Sequence, residues 1–455
     1  MPSVAILGGS VTGSVAALLF ARAGWSAHVV DPEFDRFADA HASVEPRAGA
    51  PQTAQPHGLM SRAYVELATR VPDVVSALLE SGVPLTPLSE MVPPELYDGG
   101  RPGDEQLSTL RTRRVTLDAV LHRIVGREPG VTLHRTKATG LLTEPGAPPR
   151  AVGLGLAGGE IVRADLILDA GGRRSPVTRW LAEAGYEQPE QVDPCGVNYY
   201  GRHFRVGPGP RPRLNTGFGD IHDFPTHLQL MFLGDNDTAM VALCVHRGDP
   251  AMKRLRDADA FTEVLTANEA FGPWLERLEP MTPVFALGAL NNRMRSLVTH
   301  GQPVLVGLHQ AGDALMMTNP TRGRGIAMGL AAAGRLCDLA TANGGADEDL
   351  TLQYGRWQQE VLSVYYREAA ASDAALDARM LAHLRGTAVP GNAPRVLLPE
   401  GHPVSSTQVE QAATADPDLL RLLLRAHHVL DDERQIASPD TADSVRRVLA
   451  PKPPG

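Results

Sequence analysis

The sequence predicts an α/β protein: a Rossmann-like dinucleotide-binding domain in separated pieces, an inserted sheet-containing substrate domain, and a C-terminal helical region. Three observations predict it. A strand, a glycine-rich turn, a small-residue helix and a second strand follow one another over residues 4–31; a strand ending in an acid and glycines occupies 165–175; and an apolar run at 304–307 leads through Asp313 and two glycines into an apolar helix. Strands that end in glycine or acid, between helices, are the pattern of an open parallel sheet with a ligand across its strand ends.

In the first segment, Val4 to Leu7 reads as a buried strand, and Gly8-Gly9-Ser10-Val11-Thr12-Gly13 opens a helix over Ser14 to Ala23. Trp25 to Val30 is a second strand ending in Asp31. Gly8 and Gly13 let backbone approach a pyrophosphate, the helix N-terminus favours its charge, and Asp31, at about the expected distance of roughly 20 residues, accepts from ribose hydroxyls. Ser10 stands where the middle glycine of the pattern belongs, but it is small and can donate to phosphate. A glycine turn splits the apolar run over 4–24 and no basic leader precedes it, so it reads as neither a membrane span nor a signal peptide. A second formal match, Gly153 to Gly158, is flanked by alternating residues and followed by no helix, so it reads as a hairpin. With one dinucleotide-binding unit in the chain, any nicotinamide cofactor binds transiently elsewhere.

The middle segment runs Asp165-Leu166-Ile167-Leu168-Asp169-Ala170-Gly171-Gly172-Arg173-Arg174-Ser175. In the last, Asp313 can accept hydrogen bonds from sugar hydroxyls, Gly323 and Gly325 leave backbone open to a flat ring, and a helix over Ile326 to Leu336 offers its unpaired N–H groups to negative charge.

In this order and spacing the three motifs resemble the FAD-dependent monooxygenase family of the para-hydroxybenzoate hydroxylase type. These are the group A flavoprotein hydroxylases and epoxidases, related to flavin halogenases and geranylgeranyl reductases. The resemblance implies an FAD-binding domain made of 1–60, 105–185 and 285–345. It implies FAD contacts from Gly8, Ser10, Gly13 and Asp31, from Asp169, Gly171 and Arg173, and from Gly312, Asp313, Pro320, Gly323 and Gly325. The middle motif reads Asp-Ala-Gly-Gly-Arg, closer to the halogenase and reductase branches than to the hydroxylases. Arg47 and Gln52 fall where relatives place an arginine and glutamine loop near the flavin. Arg114 opens a helix reaching about Arg127, with Thr116 as its N-cap; relatives use an arginine here on FAD. His57 follows the Arg47 loop and is placed to face the isoalloxazine.

The remaining pieces, 61–104 and 186–284, are assigned to the substrate domain and 346–455 to the helical region. Ser61 to Gly82 reads helical, with Leu67, Val71, Val74, Leu78 and Leu79 on one face and a break at Pro72. Asn198 to Val206 is a strand, and Leu228–Leu233 with Thr238–Val245 flank the turn Asp235-Asn236-Asp237 as a hairpin, followed by a helix over Ala258 to Asn268. The family builds its substrate pocket in such an insertion, which makes Tyr199, Tyr200, His203, His222, His227 and Phe232 pocket candidates; aromatics at period 2 also fit plain sheet core. Leu352 to Arg385 and Pro417 to Leu430 read helical on either side of the Pro- and Gly-rich stretch Val389 to His402, and His427-His428 reads as an exposed helix end.

At 455 residues, 43% hydrophobic and 21% charged, the chain reads as a soluble globular protein of two or three domains. A net charge of -9 argues against nucleic acid or an anionic membrane as partner. Cys195, Cys244 and Cys337 have no paired spacing, which fits a reducing cytoplasm, and no metal site or membrane span is expected.

The activity expected from the resemblance is a monooxygenase. It would insert one oxygen atom from O2 into an aromatic, polyene or alkene substrate through a flavin C4a-hydroperoxide, with electrons from NAD(P)H directly or through a separate flavin reductase. The alternative is a reductase or dehydrogenase of a prenyl or polyene substrate. Two further readings are set below it, a non-catalytic FAD-binding protein and a flavin halogenase. The halogenase branch carries a WxWxIP motif and a relay lysine, whereas the four tryptophans here are isolated and the lysines are Lys137, Lys253 and Lys452.

Overall fold

The computed structural model describes residues 1–34, 50–390, 398–431 and 433–450. Strands β1 (Ser3–Leu7), β2 (Ser26–Val30), β3 (Val131–His134), β7 (Leu166–Asp169) and β14 (Leu308–Gln310) form one parallel sheet in the order β14-β7-β1-β2-β3. Val4, Ala5, Ile6, Ile167 and Leu168 are fully buried, as expected of strands covered on both faces. Helix α1 (Val11–Arg22) packs against α6 (Gly325–Asn343), and both are small-residue helices buried over most of their length. Helix α1 begins three residues before the expected Ser14. That early start needs its glycines: Gly8 has a φ of +96°, and a Cβ on Gly13 would lie 1.8 Å from the Gly8 carbonyl oxygen.

Two boundaries moved for identifiable reasons. Trp25 precedes β2 and packs edge-on against Phe20, with ring centroids 5.1 Å apart. The strand that the apolar run at 304–307 leads into is confined to Leu308–Gln310, because Val304 donates its N–H to the Leu297 carbonyl and Gly307 turns the chain at a φ of +80°.

Helices α2 (Ser61–Arg70) and α3 (Pro72–Glu80) divide at Pro72, which occupies the first turn of α3 where its missing N–H costs nothing. Leu67, Val71, Val74 and Leu78 enter the same apolar core as α1 and α6, whereas Leu79 is 45% exposed and off that face. Helix α4 (Arg114–Val125) covers α1. Strands β4 (Ala138–Glu144), β5 (Arg150–Leu156) and β6 (Ile161–Arg163) form an antiparallel sheet, so Gly153 to Gly158 lies in a hairpin.

The insertion carries a six-stranded antiparallel sheet of β8 (Val197–Val206), β9 (Asp220–Asp223), β10 (His227–Leu233), β11 (Thr238–His246), β12 (Leu278–Pro280) and β13 (Phe285–Leu287). Asn236 and Asp237 both have positive φ in the β10–β11 turn, the conformation these residue types tolerate best in tight hairpins. Helix α5 (Ala258–Thr266) packs Phe261 and Leu265 onto one face of this sheet.

Helix α7 (Glu348–Trp357) passes through one π turn into α8 (Ser363–Leu384), and α9 (Ser406–Ala413), α10 (Pro417–His427) and α11 (Pro439–Leu449) form a small separate cluster. Ser405, Asp416 and Ser438 cap these three helices. Leu420 and Leu424 of α10 pack against Leu88, Met91 and Leu107. The end of α10 is not exposed as expected: His428 is 1% exposed, accepts the Ser61 N–H at Nδ1 and packs edge-on against Phe218. Among the described residues no helix is long and apolar enough to cross a membrane.

Candidate functional site

A cavity of about 680 Å³ opens at the C-terminal ends of β1 and β7 and extends to the insertion sheet. Two helices begin on its wall. Ser10, Val11 and Thr12 bring the start of α1, and Gly325 and Ile326 bring the start of α6; neither helix has a side-chain cap. Two sets of unpaired N–H groups and two positive dipole ends therefore converge on one space, which favours an extended anion.

At one end Asp31 lines the wall, its carboxylate accepting the Gly9 N–H and the Glu33 N–H, each at 2.7 Å. Ser10 accepts a hydrogen bond from Arg114 Nη2 at 2.5 Å, and Arg114 Nε reaches Asp118 at 3.2 Å. Arg114 is placed by an unexpected cap. Arg113, not Thr116, is the N-cap of α4, and Asp235 of the β10–β11 turn accepts the Arg113 N–H at 2.6 Å while Thr116 donates its hydroxyl to the same carboxylate at 2.9 Å. Thr116 is the third residue of the helix, past the cap position, and its hydroxyl serves the hairpin instead of the helix end.

The turn after β7 supplies Gly171, which lies against Gly8, and Arg173 to the wall, and Arg173 Nη1 is buried with no protein partner among the described residues. Asp169 does not line the cavity. Its carboxylate accepts from the Gly171 N–H at 3.0 Å, Ser175 Oγ at 2.8 Å and Gln310 Nε2 at 3.0 Å, so it ties β7 to β14 beneath the turn. Burial pushes that carboxyl above its ordinary range. Gly13 also lies off the wall, packed on Gly8. Arg47 lies outside the described residues.

Asp313 and Gln52 meet across the cavity, Gln52 Nε2 donating to Asp313 at 3.3 Å. Burial raises the Asp313 carboxyl, opposed by the charges of Arg114 and Arg173. Gly312, Pro320, Gly323 and Gly325 all reach the wall. The loop bearing them is clamped by α8 through residues that sequence reasoning missed. Asp373 accepts Asn292 Nδ2 and Asn319 Nδ2, each at 2.7 Å, and the Asn319 N–H donates to Asn292 Oδ1 at 2.7 Å. Arg324 pairs with Glu368. Burial pushes the Asp373 carboxyl up to about 6, against the stabilising bonds from both asparagines.

Of the substrate candidates, His57 and Phe232 line the cavity. The others serve the core. Tyr199 hydrogen-bonds Asn319 and accepts the Thr321 N–H at 2.9 Å; Tyr200 packs among Phe204, Met231 and Trp274 on the sheet's far face. His203 Nε2 meets the Ala54 carbonyl at 3.0 Å, His227 stacks on Phe224, and His222 pairs with Asp220. Sequence reasoning also missed Leu287, Leu290, Met317 and Ile326, which supply apolar wall, and Lys137 and Arg174, which supply charge. Among the described residues no group of His, Cys, Asp or Glu could hold a metal ion, and the three cysteines are free and buried.

Fold and cavity together define an α/β protein with a cavity at the C-terminal ends of its parallel strands and an inserted antiparallel sheet. The same fold occurs in a triple mutant of the flavin-dependent brominase Bmp2, with a TM-score of 0.62 and 14% identity over 98% of this chain and 99% of that one. It also occurs in PqsL of Pseudomonas aeruginosa in complex with 2-aminobenzoylacetate, with a TM-score of 0.59 and 16% identity over 85% of this chain and all of that one. The flavin-dependent halogenase CmlS gives a TM-score of 0.59 and 20% identity over 86% of this chain and 66% of that one. In sequence, the chain is 25% identical over 465 residues to Protein Rv3254 of Mycobacterium tuberculosis, covering 95% of this chain and 90% of that protein. No protein-family model matches.

Proposed function

We propose that the chain is an FAD-dependent monooxygenase acting on a small organic molecule. One observation carries this reading: the uncapped starts of α1 and α6 share a single cavity with Asp31, Asp313 and the unpartnered Arg173 Nη1, and that cavity continues onto the apolar side chains of Phe232, Leu287, Leu290 and Met317. The polar part fits a dinucleotide and the apolar part leaves room for a substrate beside it. Likeness in fold to flavin-dependent enzymes supports the choice of FAD.

When bound, FAD supplies the electron transfer and oxygen activation, so the chain needs no metal or nucleophile of its own. The residues bind and orient. Helix α1 and Arg114 hold pyrophosphate charge, Asp31 and Asp313 accept from sugar hydroxyls, and the start of α6 stabilises negative charge on the ring. The apolar wall excludes water from the space where oxygen is transferred.

A halogenase is the second reading, favoured by the fold likeness to Bmp2 and CmlS. Lys137 disfavours it. It follows His134, whose carbonyl takes the Asp31 N–H at 3.1 Å, and so belongs to the nucleotide end of the cavity and not its apolar wall. Oxygen-18 gas with NADH or NADPH and an aromatic panel tests the reading: labelled oxygen in product is expected. Halogenated product in bromide, with no labelled oxygen, would overturn it.

A further inference from the structure

We infer that the substrate is an uncharged apolar molecule that donates a hydrogen bond to His57 Nε2, and that His57 is the residue that selects it; this rests on the monooxygenase reading for the cofactor's place. His57 Nδ1 lies 2.8 Å from the Gln55 carbonyl oxygen. A carbonyl only accepts, so Nδ1 carries the proton and Nε2 presents a lone pair. That lone pair has no protein partner among the described residues, and His57 lines the cavity. Gly58 beside it lies against Phe232, which clusters with Leu287 and Leu290, so the acceptor is set into the apolar wall. Burial and the Arg114 charge lower the imidazole's pKa to about 4, so it stays an acceptor at neutral pH.

Among the cavity's cations Arg114 is the one whose charge reaches His57, and the Asp118 carboxylate paired with it opposes that charge. Arg324 is paired with Glu368 and Arg114 with Asp118, while Arg173, Arg174 and Lys137 follow β7 and β3 at the nucleotide end. A carboxylate held beside Phe232 would have no free cation among the described residues, and an uncompensated charge there is costly. An uncharged donor on an apolar body meets every group present.

Calorimetric titration of the flavin-loaded protein with 2-naphthol, 2-methoxynaphthalene and 2-naphthoate tests this, with flavin content measured separately in every variant. The naphthol is expected to bind roughly fivefold to tenfold tighter than its methyl ether, the worth of one hydrogen bond, and the naphthoate weakest. H57F should erase the preference for naphthol while the ether still binds, and H57Q, whose amide oxygen can accept, should restore part of it. Tightest binding of naphthoate, a naphthol preference that survives in H57F, or no binding of any of the three would overturn the inference. Preparations that never take up FAD but still discriminate the pair would overturn the cofactor reading and leave this one standing.

Discussion

Arg114 donates to Ser10 Oγ at 2.5 Å, which joins the departure from the glycine fingerprint to the helix that carries a cation on the cavity wall. The hydroxyl that replaces a glycine hydrogen holds the guanidinium against the start of α1, in the cavity. Ser10→Gly should weaken FAD binding by roughly twofold to tenfold, the value of one net hydrogen bond, and Arg114→Ala by more because it also removes a charge. Quenching of free FAD fluorescence measures both. Equal affinity in all three proteins would show that the pair does not touch cofactor.

Asp313→Ala removes a carboxylate from the cavity wall opposite Gln52. The loss of a charged hydrogen bond costs about 1.5–3 kcal/mol, or roughly tenfold to a hundredfold in FAD affinity. A folded variant that keeps all its flavin at micromolar dilution would remove Asp313 from the site.

Asp373 is expected to act on the cavity from α8, through Asn319 and Asn292. Asp373→Ala leaves two buried amides without their acceptor, each worth about 1–3 kcal/mol. A melting temperature lowered by several degrees, together with looser flavin, is the expected result; Asp373→Asn should be intermediate, because its amide must turn one N–H pair toward another. A variant melting like the native protein would contradict the clamp.

Most of the parallel-sheet side of the cavity was legible in the sequence, because its pattern is local: the turn after β1, the acid after β2 and the glycines before α6 lie within a few residues of the elements that aim them. The apolar wall was not. Period 2 identifies which residues of β8 and β10 share a face but not which face meets the cavity, so Tyr200 went to the core and Phe232 to the wall. Leu287, Leu290 and the clamp from Asp373 depend on contacts between segments about 50 to 80 residues apart, which no local pattern carries. His428 escaped for the same reason: its partners, Ser61 and Phe218, lie in two other segments.

Acid should unfold the protein in a window set by buried histidines. Burial lowers His203 to about 4 and His309 and His428 to about 3, and each is 1% exposed. The unfolded chain, with histidine near 6.5, binds more protons than the folded one below that pH, so stability is full above about pH 6.5 and falls as pH drops toward 4. The slope is about 1.4 kcal/mol per pH unit for each such histidine in that window. Urea midpoints between pH 7.5 and 4.5 check it; a flat profile would mean that these imidazoles protonate in place.

Substitution of the wall should separate substrate handling from cofactor binding. Phe232→Ala and Leu290→Ala are expected to change which aromatic is oxygenated, or to divert turnover to hydrogen peroxide, while flavin content stays unchanged. Product analysis with a peroxide assay reads both. Flavin loss in step with activity would place these residues on the cofactor instead.

The cavity between α1 and α6 is expected to hold FAD. Protein purified in the presence of FAD and freed of excess should be yellow, and heating should release FAD, identified by mass and fluorescence, in a ratio near one per chain. Arg114→Ala and Asp313→Ala should lower that ratio under the same wash. A colourless native protein that binds no FAD at micromolar concentration, while remaining folded, would contradict the account.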